Sequence, residues 1–493
     1  MKDYILGIDQ GSTGSKVLVV NARGEVVCSA YRGIESYYPH EGWVEHDPEA
    51  VWQSVREAIL EVAEKFDLHQ IRAIGITNQR ETTLLWERAT GRALTPAVSW
   101  QCVRSQTIVE HWMQWSEEIT EITGLPCHTY YSASKIAWLL QENPGLRERC
   151  EAGEICFGTI NTWILWKLTG GKSHLTDTSN AGRTMFFDVH KAQWSEDLIE
   201  KFQIPKAILP GVLPCDAEFG MAVEPKEAFA EPVPVMASIG DQMSALFGQA
   251  CFSRGEAKCS IGTCLNLVTY TGEYAVPQCG LYPAIASHDG GALTYEIEGG
   301  VNVAGSVSEW LVHQLGVAGS PQEVSELASQ VDGADGAYFV PAFGGLFAPH
   351  WNSGARGLII GLSRFHDKRH ICRAAVESIA LQTNDIIELL RGSFGVDIKV
   401  LRVDGGVAKS DFIMQLMANI LNCRIERPAN TDRTPMGAVY LAGLSSRLWK
   451  DRQELRGLWV LDKAFEPAMD AQKRQALIEG WQEAVKRSFD WVK

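Results

Sequence analysis

None of the 12 cysteines forms a Cys-x-x-Cys pair, and their positions build no compact framework. A zinc spacing is therefore absent, and reduced thiols of a cytoplasmic protein are the simplest account. There is no run of 18 apolar residues, so no helical membrane span is expected. No apolar stretch ahead of Asp9 is long enough to read as a signal peptide. Positive charge is in deficit: 45 Lys and Arg stand against 60 Asp and Glu, a net charge of -15. That balance argues against nucleic acid or an anionic membrane as a partner. It leaves a nucleotide open, because backbone N–H groups and one or two cations can hold phosphates locally.

What is present fits a globular protein. Hydrophobic residues make up 45% and charged residues 21%, and 493 residues exceed one ordinary core. Two domains are expected, 1–250 and 251–493. The centre of the chain holds Ser238-Ile239-Gly240-Asp241-Gln242-Met243-Ser244. Val233 to Met236 reads as a strand entering this turn, and Met243 to Gln249 as a helix leaving it. Asp241 then sits at the carboxyl end of a strand, where α/β proteins bind ligands. A carboxylate there can take a proton from a hydroxyl, or it can simply cap the helix.

A strand, small-residue turn, strand pattern opens each half. Tyr4–Ile8 leads through Asp9-Gln10-Gly11-Ser12-Thr13-Gly14-Ser15 to Lys16–Val20. Ala257–Ile261 leads through Gly262-Thr263-Cys264 to Leu265–Tyr270. The first turn lacks the Gly-Lys-Ser/Thr ending of a Walker A loop, and no helix follows it as a dinucleotide fingerprint requires. Two such hairpins suggest two related domains facing each other, with a phosphate chain gripped between their turns and a cleft that closes to exclude water. Asp9, at a strand end, is placed to face a metal ion.

Other polar groups sit at ends of apolar strands. Ile71–Thr77 runs into Asn78-Gln79-Arg80-Glu81, a pair that is either a structural salt bridge or a set of hydroxyl ligands. Ala97–Ser99 ends at Trp100. Thr129 to Leu140 reads as a helix stopped by Asn143-Pro144-Gly145, and Asp177 to Thr184 reads as a polar loop. Val400–Val403 enters Asp404-Gly405-Gly406-Val407-Ala408-Lys409-Ser410, where two glycines would let a base or ribose approach, or a generic turn would suffice. Asp470 to Lys493 reads as a charged amphipathic helix.

Two longer stretches carry a resemblance. Tyr130-Tyr131-Ser132-Ala133-Ser134-Lys135-Ile136-Ala137-Trp138 is one; Gly357-Leu358-Ile359-Ile360-Gly361, followed by His370 to Glu377, is the other. With the blocks above, from Ile5 to about Leu455, the chain resembles the FGGY carbohydrate kinases, and within them the glycerol kinases. The resemblance implies an α/β fold of two ribonuclease-H-like (actin/hexokinase-type) domains with an ATP cleft between them. It implies phosphorylation of a terminal hydroxyl of glycerol by ATP with Mg²⁺, and a homodimer or homotetramer. It places Asp241 as the catalytic base. Arg80, Glu81, Trp100, Tyr130, Asp241 and Gln242 would hold the polyol. Gly11, Ser12, Thr13, Lys16, Gly262 and Thr263 would line the phosphates, Asp9 would sit near Mg²⁺, and Gly405, Gly406 and Ser410 would approach the adenosine.

Four departures stand out. Lys16 replaces a usual Arg, and Ser410 stands where an Asn is common. Asn266 replaces a Phe that packs on the glycerol carbons; a shorter, polar side chain leaves room for a longer polyol or ketose. Ala222-Val223-Glu224-Pro225-Lys226-Glu227-Ala228-Phe229 lacks the cation-rich pattern of a sugar-bisphosphate effector site, so none is expected.

Overall fold

The computed structural model describes residues 2–492. Tyr4–Gly11 and Gly14–Asn21 form the first hairpin, and Ile5, Leu6, Ile8 and Val17 to Val20 are all fully buried. Such near-continuous apolar runs need cover on both faces of the sheet. One cover is the helix Pro48–Lys65, whose buried Val51, Val55, Ile59 and Val62 meet Leu6, Ile8, Val17 and Val19. Its start is fixed by Asp47, which accepts from Glu49 N, and by Pro48 in the first turn. The other cover is the helix Arg433–Ser445, whose Met436 and Val439 meet Ile5, Leu18 and Val20. This second cover comes from beyond residue 250.

The first sheet has the order Gly220–Ala222, Val233–Gly240, Ile71–Asn78, Tyr4–Gly11, Gly14–Asn21, Val26–Gly33. The second has the order Tyr282–Asp289, Ala292–Val301, Leu265–Gly272, Ala257–Ile261, Val400–Asp404, Arg424–Pro428, Leu461–Phe465. The two share a plan. In each, an antiparallel meander is followed by two parallel strands: Ile71–Asn78 and Val233–Gly240 in one, Val400–Asp404 and Arg424–Pro428 in the other. The repeated hairpins are thus the equivalent corners of two related sheets. The long helix Lys368–Phe394 covers the second sheet, capped by Asp367 at its start and by left-handed Gly395 at its end.

Where the halves meet, helix Asp241–Gly248 crosses helix Arg433–Ser445 at backbone contact. A Cβ on Gly248 would lie 2.0 Å from the Arg433 carbonyl oxygen, and one on Gly437 would lie 1.8 Å from that of Ser244. Only glycine fits either position. The crossing sets the base of the cleft.

Several segments differ from the sequence reading. The helix expected from Thr129 begins at Ser132, and Pro144 opens another helix, Pro144–Glu151, where an end was expected. Asp177 to Thr184 contains a single helical turn, Thr178–Ala181, capped by the buried Asp177 side chain. Ala292–Val301 is a ten-residue strand that the sequence reading did not propose. The tail helix runs Ala471–Ser488; Lys493 lies outside the described residues.

Candidate active site

Strand Val233–Gly240 delivers Asp241 to the first turn of its helix. The capping position belongs to Gly240, and Asp241 Oδ1 accepts from the Gln242 amide at 2.7 Å. The turn rests on a buried polar network. Gly240 N donates to Ser179 Oγ (2.9 Å), Ser238 Oγ donates to Asp177 Oδ2 (2.8 Å), and Asn180 Nδ2 donates to the same carboxylate (2.7 Å). The segment read as a polar loop therefore positions the candidate base.

Arg80 and Glu81 follow strand Ile71–Asn78, the neighbour of the Asp241 strand. Arg80 Nε lies 2.9 Å from Asp241 Oδ1 and 3.9 Å from Glu81 Oε1. Glu81 holds φ of 60°, a left-handed conformation unusual for this residue. Its carbonyl accepts from Thr83 Oγ1 and from Ser132 Oγ (3.0 Å), which pins the turn. Its carboxylate accepts from Arg183 Nε at 2.6 Å. Arg183 lies under the rings of Tyr130 and Tyr131, at 5.7 and 5.2 Å. Tyr130 in turn packs on Trp100 (5.3 Å between ring centres), and Trp100 Nε1 donates to Ser12 Oγ at 2.9 Å. A continuous chain of contacts thus joins the first hairpin to Asp241. Lys135, fully buried, donates to the carbonyls of Thr129, Tyr130 and Tyr131 at 2.7, 2.6 and 3.1 Å. Burial pushes its ammonium down to about 7, and those three carbonyls use all its donors.

The second sheet supplies groups that the sequence reading missed. Glu298 lies 2.8 Å from Arg80 Nη2 and 3.1 Å from Arg183 Nη1. Lys258 Nζ donates to Gln242 Oε1 and, at 3.1 Å, to Ser260 Oγ. Glu296 is fully buried, and among the described residues neither of its oxygens has a hydrogen-bond partner. Burial and the adjacent Glu298 push the Glu296 carboxyl well up, whereas Arg80 and Arg183 overcome burial and hold Glu298 low. For Asp241, burial raises the pKa and Arg80 opposes it. The missed signal was the alternation Tyr295-Glu296-Ile297-Glu298, which places two carboxyls on one strand face.

The candidate phosphate turns differ in their internal bonds. Gly11 pairs with Gly14 across the first turn, leaving Ser12 and Thr13 at the tip. In the second turn the Gly262 amide is already used by the Cys264 carbonyl at 2.9 Å, and Gly262, Thr263 and Cys264 are exposed. Lys16 lies 2.6 Å from Asp432, so its charge is shared across the cleft. Asp9 is half-buried; burial, then Asp241 and Asp432, push its carboxyl up to about 7. One carboxylate with anionic neighbours suits a hard cation, and magnesium commonly takes one or two carboxylates plus phosphate oxygens. Among the described residues no cluster of three or more His, Cys, Asp or Glu side chains could hold a metal alone.

At the far end, Gly405 has φ of 89°, and a Cβ there would lie 2.5 Å from the Ile261 carbonyl oxygen. Gly406 has open space beside it. Ser410 caps helix Asp411–Leu421 by accepting from Ile413 N, a structural role that accounts for it without a ligand. These three residues make no recorded contact with the Arg80 cluster. Asn266 is half-buried on the cleft face, opposite Ser260 and Gly300.

Comparison with known proteins matches residues 4–248 to the N-terminal domain, and residues 257–446 to the C-terminal domain, of the FGGY family of carbohydrate kinases. Glycerol kinase 2 of Thermotoga maritima is 43% identical over 495 residues, covering 99% of each chain. The crystal structure of Plasmodium falciparum glycerol kinase with ADP superposes with a TM-score of 0.93 at 35% identity, covering 98% of each chain. That of gluconate kinase from Lactobacillus acidophilus gives 0.87 at 25% identity, covering 98% of this chain and 96% of that one.

Proposed function

This chain belongs to the FGGY family of carbohydrate kinases, and from that premise we propose that it transfers the γ-phosphoryl group of ATP to a terminal hydroxyl of glycerol. The products are glycerol 3-phosphate and ADP. The observation that carries the reading is the convergence of Arg80, Glu81, Tyr130 and Trp100 with Asp241 and Gln242 beside the first hairpin. Relatives that carry the glycerol kinase name across the full chain support the same substrate.

Asp241 accepts the hydroxyl proton while the new O–P bond forms and the bond to the β-phosphate oxygen breaks. An alcohol is too weak an acid to ionise first, so the base acts during transfer. Arg80, 2.9 Å from Asp241, favours its ionised form against burial; Arg80, Glu81 and Gln242 orient the polyol hydroxyls. Trp100 and Tyr130 shield its carbons. Asp9 would hold Mg²⁺, which neutralises charge on the β- and γ-phosphates. Ser12, Thr13, Gly262 and Thr263 line the phosphate path, and Gly405 and Gly406 admit the adenosine. In the 222–229 segment, Lys226 lies 3.7 Å from Glu224, and Arg56 pairs with Glu227 at 2.6 Å. The segment's one cation, Lys226, stands beside two glutamates, a balance that disfavours an anionic effector there.

A second reading is a longer polyol or ketose, favoured by the amide of Asn266 on the cleft face. ATP consumption with glycerol, dihydroxyacetone, erythritol, xylitol, xylulose and gluconate separates the two. Glycerol is expected to give the highest kcat/KM. If a longer substrate leads, the glycerol reading fails, and Asn266→Phe is then expected to shift preference back toward glycerol.

A further inference from the structure

The groups that orient the polyol ligands do not all come from the half that carries those ligands. On the cleft face of the second sheet, Lys258, Val268 and Glu298 form one row across three neighbouring strands, paired Lys258 to Val268 and Val268 to Glu298. Val268 is fully buried and packs with Leu246 of the Asp241 helix, so this row faces the first half of the chain. Its two ends reach two different polyol ligands. Glu298 meets Arg80 at 2.8 Å and also Arg183 at 3.1 Å. Lys258 donates to Gln242 Oε1.

We infer that Lys258 and Glu298 are positioning residues for the polyol, so that the ligand set of the first half is complete only with the second sheet seated against it. The inference rests on the reading of Arg80 and Gln242 as polyol ligands. Two physical points carry it. Arg80 is almost fully buried and faces Glu81, Asp241 and Glu298 together. Without Glu298, Arg80 and Arg183 share too few carboxylates, and Arg80 is drawn onto Asp241 and Glu81 and away from a neutral hydroxyl. Gln242 has a carbonyl and an amino end of similar shape. A Lys donor at Oε1 fixes which end is which, leaving the Nε2 donors for a substrate oxygen. Val268 between the two charged residues prevents them from pairing with each other.

Glu296 offers a built-in control. It lies on the same strand and the same face, one row further along opposite Tyr270, and it is fully buried where Glu298 is half-buried. Among the described residues its carboxylate bonds to neither Arg80 nor Gln242. A role of this face in packing alone would make Glu296 as important as Glu298.

The test uses the full-length protein with Glu298→Gln, Lys258→Met and Glu296→Gln. Glycerol KM and kcat, the Kd of MgADP by calorimetry, and Tm are measured for each. Glu298→Gln and Lys258→Met are expected to raise glycerol KM ~10-fold or more, as loss of a hydrogen bond to a charged group implies. Kd for MgADP should stay within about twofold, and Glu296→Gln should leave glycerol KM within about twofold of wild type. The inference is overturned if neither variant moves KM, if MgADP binding and glycerol KM weaken together with a fall in Tm, or if Glu296→Gln acts like Glu298→Gln. If wild type turns over another polyol and not glycerol, the glycerol reading has failed. The same KM comparison with that polyol then decides the inference separately.

Discussion

As the proposed base, Asp241 would have to be both basic and charged, and its neighbours act on it in opposite senses. Burial raises its pKa, and Arg80 at 2.9 Å opposes the rise. Asp241→Asn keeps the size and loses the proton acceptor, so kcat is expected to fall by roughly 10²-fold or more. Steady-state assays with unchanged MgADP affinity would confirm the loss as chemical; near-normal kcat would refute the assignment. Glu296 presents the opposite case. Its folded-state pKa is raised, so the stability linked to it is full below the unfolded value of ~4.3 and is lost as pH rises through the raised value. Glu296→Gln removes that proton dependence. The stability of the variant relative to wild type should therefore grow with pH, read as the Tm difference between pH 5 and pH 9. A difference that stays constant over that range contradicts the assignment.

At the scale of elements, two features hold the site in place. One is the carbonyl cradle around Lys135, which ties the start of helix Ser132–Glu142 to Tyr130. The other is the glycine crossing of helices Asp241–Gly248 and Arg433–Ser445. Gly437→Ala puts a methyl group 1.8 Å from the Ser244 carbonyl oxygen, closer than any contact tolerates. The helices must separate, at a cost of about 3 kcal/mol, a usual upper value for overpacking. Urea unfolding measures it. Because the same crossing carries Asp241, kcat should fall as well, and a fully stable, fully active variant would mean that the crossing is looser than the structure has it.

The whole molecule offers a probe of the nucleotide cleft that needs no turnover. Only Cys264 and Cys279 are exposed among the described cysteines, and Cys264 closes the turn proposed to line the phosphates. Two thiols should react rapidly with a soluble disulfide reagent under native conditions. MgADP should slow the reaction of Cys264 and leave that of Cys279 unchanged, located by peptide mapping. Equal rates with and without nucleotide would remove the turn from the nucleotide site. Among the described residues no helix is long and apolar enough to cross a membrane, in agreement with the hydropathy reading.

Much of this was legible without coordinates. The two hairpins, the Asp241 turn and the Arg80-Glu81 strand end are local patterns, and local patterns survive in sequence. Asn266 was legible as a departure for the same reason. What the sequence left hidden depends on contacts between distant segments. Arg183 looked like part of a polar turn until Glu81 and Glu298 were found on either side of it. Glu298 and Lys258 gained meaning only from the register of three strands and from the sheet they face. The place of helix Arg433–Ser445 against the Asp241 helix came from Gly248 and Gly437, two glycines 189 residues apart in the chain (437 less 248). Local periodicity determined the elements and the ligands at their ends. Burial of charge between the two sheets, a property of the assembled fold, decided which of those ligands are held and by what.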